Sequence, residues 1–193
     1  MLQLQVKNFA LALLFVFAIA VPSMADTITF SGSTAPPSPT FRRPVETGDA
    51  FAFDEMGNPV FARFSTFNFF VSISGQYDFL STQNYDGFLL LYRTTFTPSN
   101  LSLLVDPNFF VAGDDDLIDF VPGQSGFSAT LSTNVLYFLI TTGFDDSSFG
   151  NFTNQITGPG QVIPEPATMI LLATGLAGAA ATRRRKRRQT GQS

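Results

Sequence analysis

The sequence contains no cysteine, no histidine and no tryptophan, and these gaps remove whole chemistries. Without a thiolate or an imidazole there is no disulfide framework, zinc finger, haem ligation, thiol nucleophile or Ser-His-Asp triad. Charge is scarce too: Asp, Glu, Lys and Arg make up 13 % of the 193 residues. Between Asp26 and Ile163 only Arg42, Arg43, Arg63 and Arg93 stand against fourteen carboxylates, which leaves a net charge of −10 for that stretch. So acidic a body repels polyanions, and no nucleic-acid partner is expected. Long hydrophobic runs are missing except at the two ends, and those ends carry the clearest signals.

The N-terminus has a weakly basic start, then thirteen uninterrupted apolar residues from Phe9 to Val21, then Pro22-Ser23-Met24-Ala25. These are the three parts of a secretory leader, and Ser23 with Ala25 supplies the small residues that signal peptidase accepts. The expected leader is residues 1–25, with cleavage between Ala25 and Asp26. As a helix the run covers ~20 Å, short of a ~30 Å hydrocarbon core, which argues against a retained anchor.

The C-terminus is arranged differently. Val162-Ile163 leads into Pro164-Glu165-Pro166, an uncharged helical stretch follows over residues 167–182, and the basic cluster Arg183, Arg184, Arg185, Lys186, Arg187, Arg188 closes it. A basic block directly after an apolar segment halts translocation and stays in the cytoplasm, which leaves the body of the chain outside. In this order of parts, residues 162–193 resemble the PEP-CTERM sorting tails of bacteria that export proteins together with exopolysaccharide. The resemblance implies an exosortase-type processing enzyme that cuts near Pro164-Glu165-Pro166. It also implies an inner-membrane precursor destined for the cell surface or the extracellular matrix. A plain type I membrane anchor is the alternative. It would not require two prolines around Glu165, which fix an extended backbone suited to recognition.

Twenty of the 23 phenylalanines lie between the two ends, where they serve as volume fillers in a half-buried sheet. Residues 26–48 are rich in Ser, Thr and Pro and read as an irregular segment, because Pro36, Pro37 and Pro39 forbid helix. Over residues 49–160, short apolar runs alternate with turn signals. Candidate strands are 50–53, 60–64, 67–75, 76–80, 87–92, 101–105, 117–121, 126–131 and 135–142. With no amphipathic helix, the pattern predicts an all-β ectodomain built as an antiparallel sandwich or jelly roll.

Acidic turns are the one constellation in the body with possible chemistry. Asp86 precedes one strand, Asp114, Asp115, Asp116 and Asp119 flank another, and Asp145-Asp146 follow a third. Gathered carboxylates repel one another unless they are solvated or neutralised, and Ca²⁺ takes six to eight oxygens from such loops. The order of these features over residues 67–142 resembles the bacterial pre-peptidase C-terminal-like domain. That resemblance implies calcium between the Asp86 turn and the Asp114-Asp115-Asp116 turn. A solvated acidic turn that confers solubility is the competing reading. Tyr77, Tyr85 and Tyr92 are the aromatic residues best suited to face a sugar. Enzymatic signatures are missing: Gly123-Gln124-Ser125-Gly126 is one residue short of a serine-nucleophile elbow, and no phosphate loop is present. The expected protein is therefore a non-enzymatic surface or matrix component, or a calcium-assisted glycan- or protein-binding module. N-terminal sequencing of the exported protein should return Asp26 as its first residue. A chain beginning at Met1 would overturn the leader.

Overall fold

The computed structural model describes residues 25–47, 50–53, 59–116 and 123–165. The leader, the expected strand 117–121 with Asp119, Pro166, the apolar stretch 167–182 and the basic cluster 183–188 lie outside them. In chain order the first elements are β1 (Asp26–Ser33), β2 (Thr40–Arg42), β3 (Val45–Thr47), β4 (Ala50–Ala52), β5 (Phe61–Val71), β6 (Gly75–Gln83) and β7 (Gly87–Arg93). A helical turn α1 (Leu101–Leu104) follows, then β8 (Phe110–Asp114), β9 (Gln124–Leu131), β10 (Tyr137–Gly143), β11 (Asn151–Gly158) and β12 (Val162–Pro164). Among the described residues no helix is long and apolar enough to cross a membrane.

The strands form an antiparallel sandwich. One sheet has the order β1-β11-β6-β9; the other runs β12-β5-β10-β7-β8, with β2 also paired to β5, and β3-β4 form a small ribbon. Strands β5, β6 and β7 alternate between the two sheets, so each connection crosses the core. Period-two alternation fixes which side chains go inside. In β6, Tyr77 and Phe79 point inward between exposed Gln76 and Asp78; in β10, Tyr137 and Leu139 do the same. These residues join Phe69, Val71, Leu89, Leu91, Leu131 and Ile156 in the core between the sheets.

Strand β7 departs from simple alternation. Its sequence Gly87-Phe88-Leu89-Leu90-Leu91-Tyr92 is buried throughout, because a second apolar layer covers the outer face of its sheet. There Phe88, Leu90 and Tyr92 pack with Phe41, Phe64, Ile140 and Leu104, and Phe96 sets its ring edge-on to Phe41 and Phe64. The cover comes from β2 and from the loop holding α1. The body therefore has three layers: a four-stranded sheet, a larger sheet, and a cover of loop and short strand.

Several expectations are corrected. Residues 26–48 are not irregular, because β1 occupies Asp26–Ser33 with Ile28 and Phe30 turned to the core; the alternating Thr and Ser read as composition but serve as the solvent side of a strand. The expected strand 101–105 is the helical turn α1, where Asn100 accepts a backbone bond from Leu103. Candidates 60–64 and 67–75 fuse into the single strand β5. Strands β8 and β11 were not among the candidates: β8 holds Gly113 and Asp114 in five residues, and the inward face of β11 places the polar Asn154 between Phe152 and Ile156. The body also does not stop at residue 160, since β12 extends the larger sheet to Pro164.

Gly158 has one structural duty that no other residue can meet: a Cβ there would overlap the Tyr77 ring. The three-layer arrangement makes a sharper prediction. Leu90 and Leu91 are both 0 % exposed yet face opposite sides of β7. Leu90→Ala and Leu91→Ala should each destabilise by about 2–5 kcal/mol in urea unfolding. A near-silent Leu90→Ala would mean that the outer layer does not pack.

Candidate functional site

Three surfaces are candidates: the acidic end of the sandwich, the outer face of the smaller sheet, and the edge where the sorting motif begins.

At the acidic end the turns do converge, but around a cation supplied by the chain. Arg43 follows β2, is 3 % exposed, and its guanidinium lies over the Phe88 ring at 4.2 Å. Its Nε and Nη2 donate to the Phe144 carbonyl at 3.2 and 2.6 Å, and Nη1 donates to the Pro44 carbonyl at 2.8 Å. Burial pulls its pKa down to about 10, opposed by the charges of Asp115, Asp86 and Asp145. Asp86 is held above the usual carboxylate range, first by burial and then by the neighbouring Asp116, Asp115 and Asp145, while Arg43 pulls the other way. Asp145 lies below that range because Ser148 and Ser147 donate hydrogen bonds to it. Asp115 accepts a bond from the Asp116 backbone, and Asp114 ends β8 opposite Leu89. Thus Asp86 feels the charges of Asp115 and Asp116, while Asp119 lies outside the described residues. Among the described residues no group of three acidic side chains is arranged to hold a metal ion. Sequence reading missed Arg43. The signal available was its rarity, one of four arginines amid fourteen carboxylates.

Beneath these turns the sandwich interior is polar. Asn154 Nδ2 donates to Thr141 Oγ1 at 2.7 Å and Gln83 Nε2 to Ser125 Oγ at 3.2 Å. Ser81 sits between Ser125 and Asn154 in the register.

The outer face of the smaller sheet is a lattice of hydroxyls and amides. One row across all four strands is Ser31, Thr153, Thr82 and Gln124, and another is Thr27, Thr157, Asp78 and Ser128. The Ser31 and Thr153 hydroxyls bond each other at 2.9 Å, as do those of Thr27 and Thr157. Asp78 is the single charge in these rows, and its carboxylate accepts a bond from Ser128. At one end the face opens into a concavity of about 770 Å³ lined in part by Ser31, Ser33, Thr82, Asn84, Asn151 and Thr153. Tyr77 and Tyr92 contribute to no such surface. Both are 0 % exposed, with hydroxyls donating to the Ile73 and Leu104 carbonyls, so their polar tips are used internally.

The third surface is β12. Val162, Ile163 and Pro164 pair with Val71, Phe70 and Phe69 along the edge of β5. The Ser72 N–H donates to the Gln161 carbonyl and the Glu165 N–H to the Asn68 carbonyl, each at 3.0 Å. Antiparallel alternation between these bonded pairs places Pro164 opposite Phe69 in a non-bonded pair, where its missing N–H is not needed. Asn68 Nδ2 then donates to the Glu165 carboxylate at 3.2 Å.

Residues 162–186 match the family model of the PEP-CTERM protein-sorting motif. The match starts at the first residue of β12, so the folded body and the motif share residues 162–165. The motif supports an exported precursor, held at the membrane and then processed by an exosortase-type enzyme. No match among curated proteins was found. The resemblance of residues 67–142 to the pre-peptidase C-terminal-like domain gains no support from these comparisons.

The electrostatics of the acidic end give a prediction with a worked sign. Asp86 is raised in the folded state, so its ionisation opposes folding, and stability should increase as pH falls through its folded pKa. Asp145 is lowered, so it stabilises above its unfolded pKa, and that contribution is lost as pH falls through its folded pKa. Asp86→Asn should therefore raise the melting temperature at pH 7, and Asp145→Asn should lower it. Arg43→Ala leaves the Phe144 and Pro44 carbonyls without their buried donor and should destabilise by about 1–3 kcal/mol.

Proposed function

We propose that this chain is a non-enzymatic cell-surface or matrix protein, delivered by its C-terminal motif and acting through its β-sandwich. The observation that carries this reading is the sorting-motif match over residues 162–186, directly continuous with an all-β body. Among the described residues no serine is hydrogen-bonded to a carboxylate in a pocket, and the carboxylates of the acidic end sit in the field of the buried Arg43. A role as a displayed domain is consistent with that chemistry. The leader would be removed by signal peptidase. Intact-mass analysis of protein from the host's exterior should give a species that starts at Asp26 and lacks Arg183 to Arg188. A dominant species retaining the basic cluster would leave a type I membrane anchor instead.

A second reading, glycan binding, is favoured by the hydroxyl and amide face of the smaller sheet. Hydroxyls and amides both donate and accept, which suits a polyol. A body of net charge −10 repels anionic polymers, and these rows hold a single, already bonded carboxylate. The ligand class is therefore a neutral polysaccharide rather than a uronic-acid polymer. Pull-down with neutral and anionic polysaccharides should retain the protein on the neutral ones, and exposed Thr153→Arg should abolish retention while leaving the melting temperature within a few degrees. Equal binding to both classes, or none, would remove this reading. Calcium-assisted binding is read in the same preparation by melting in EDTA and in excess calcium. Saturation at 100 times the dissociation constant contributes ~2.7 kcal/mol. Equal melting temperatures would leave Arg43 as the counter-ion and discard calcium.

A further inference from the structure

We infer that the folded domain masks its own sorting motif, so that β12 must be peeled from β5 before an exosortase-type enzyme can read Pro164-Glu165-Pro166. The inference rests on the sorting reading and adds a conformational step that the motif alone does not contain.

Three observations carry it. First, the motif's opening residues are not in a linker: Pro164 closes β12, and the Glu165 N–H donates to the Asn68 carbonyl. Second, the only charge of the Pro164-Glu165-Pro166 element is held by the domain, through Asn68 Nδ2 at 3.2 Å. Third, no spacer follows. Only Glu165 and Pro166 separate Pro164 from the apolar stretch beginning at Ala167, and two extended residues reach at most about 7 Å.

Enzymes that cut or transfer peptides read them as extended strands through main-chain hydrogen bonds and side-chain pockets. Directly after β12, the Glu165 N–H and the Glu165 carboxylate bond the carbonyl and the side-chain amide of Asn68. An enzyme pocket for that carboxylate and the Asn68 amide therefore compete for one group. The apparent processing rate is scaled by the fraction of chains with β12 released. Pro164 neither strengthens nor weakens the ladder, because it sits at a non-bonded position where no N–H is called for. Asn68 is thus a positioning residue for the sorting step and slows it.

The test is pulse-chase processing of the full chain in its native host, with variants of the β5–β12 contact. Asn68→Ala should speed loss of the tail about fivefold, the population change that one net side-chain hydrogen bond supports. Asn68→Asp should speed it further, because two carboxylates would then face each other. The converse variant pairs Val71→Cys with Val162→Cys, opposite each other in a non-bonded pair. The chain has no other cysteine, so one disulfide pins the strand. Processing should stop in the oxidised form and resume after reductant, which also shows that the variant remains a competent substrate. If wild type is cut and the oxidised variant is cut at the same rate, the mask is overturned and the sorting reading stands. If wild type itself keeps Arg183 to Arg188, the sorting reading fails and the inference falls with it.

Discussion

Strand β5 is the constraint on which the rest of the body depends. Its eleven residues alternate without interruption, so Phe67, Phe69 and Val71 enter the core between the sheets while Phe64 enters the outer layer. One edge pairs with β10 over residues 64–69, and the opposite edge is divided between β2 at residues 61–63 and β12 at residues 69–71. A register slip of one residue would exchange the two apolar layers, reverse the cover, and move the sorting motif off its partners. The chain can satisfy both layers only because phenylalanine fills large volumes on either face.

Arg43 performs the equivalent task for charge. A body with fourteen carboxylates over residues 26–163 must keep most of them solvated, yet the turns after β6, β8 and β10 bring Asp86, Asp115, Asp116 and Asp145 together. The buried guanidinium is held by three bonds to backbone carbonyls, two of them to Phe144 in the turn that carries Asp145. It also stacks on Phe88, a residue of the outer apolar layer, and so ties the charged end to the packing. The acidic end thus holds one internal positive charge among its carboxylates.

The C-terminal motif and the fold class were legible because they rest on local pattern: a Pro-Glu-Pro element before an apolar stretch, and period-two alternation between turns. What escaped depended on long-range partners. Strand β1 looks like a linker in isolation, since only pairing with β11 decides that Ile28 and Phe30 have a core to enter. Leu101 to Leu104 has the composition of a strand, but its place under Tyr92 leaves room for a helical turn whose Leu104 carbonyl takes the tyrosine hydroxyl. Tyr77 and Tyr92 have polar tips that seemed suited to a ligand, and a carbonyl inside the fold satisfied each. Arg43 escaped for the same reason, because its role exists only once three distant turns close around it.

The position of the cut relative to β12 decides what the exported domain becomes. Without β12 the β5 edge would expose backbone donors and acceptors beside Phe69, Phe70 and Val71, and an unpaired edge of that composition is a template for joining another chain. A cut beyond Glu165 leaves β12 in place and the edge closed. A cut before Val162 would strip the strand and uncover residues 69–71 in an acidic domain with few other safeguards. A motif whose first residues double as an edge strand reconciles the two requirements: a recognition element between prolines is extended, and a strand is already extended. Pro164 fits both roles for one reason, since a residue with fixed φ and no N–H suits a non-bonded edge position as well as it suits an extended recognition element.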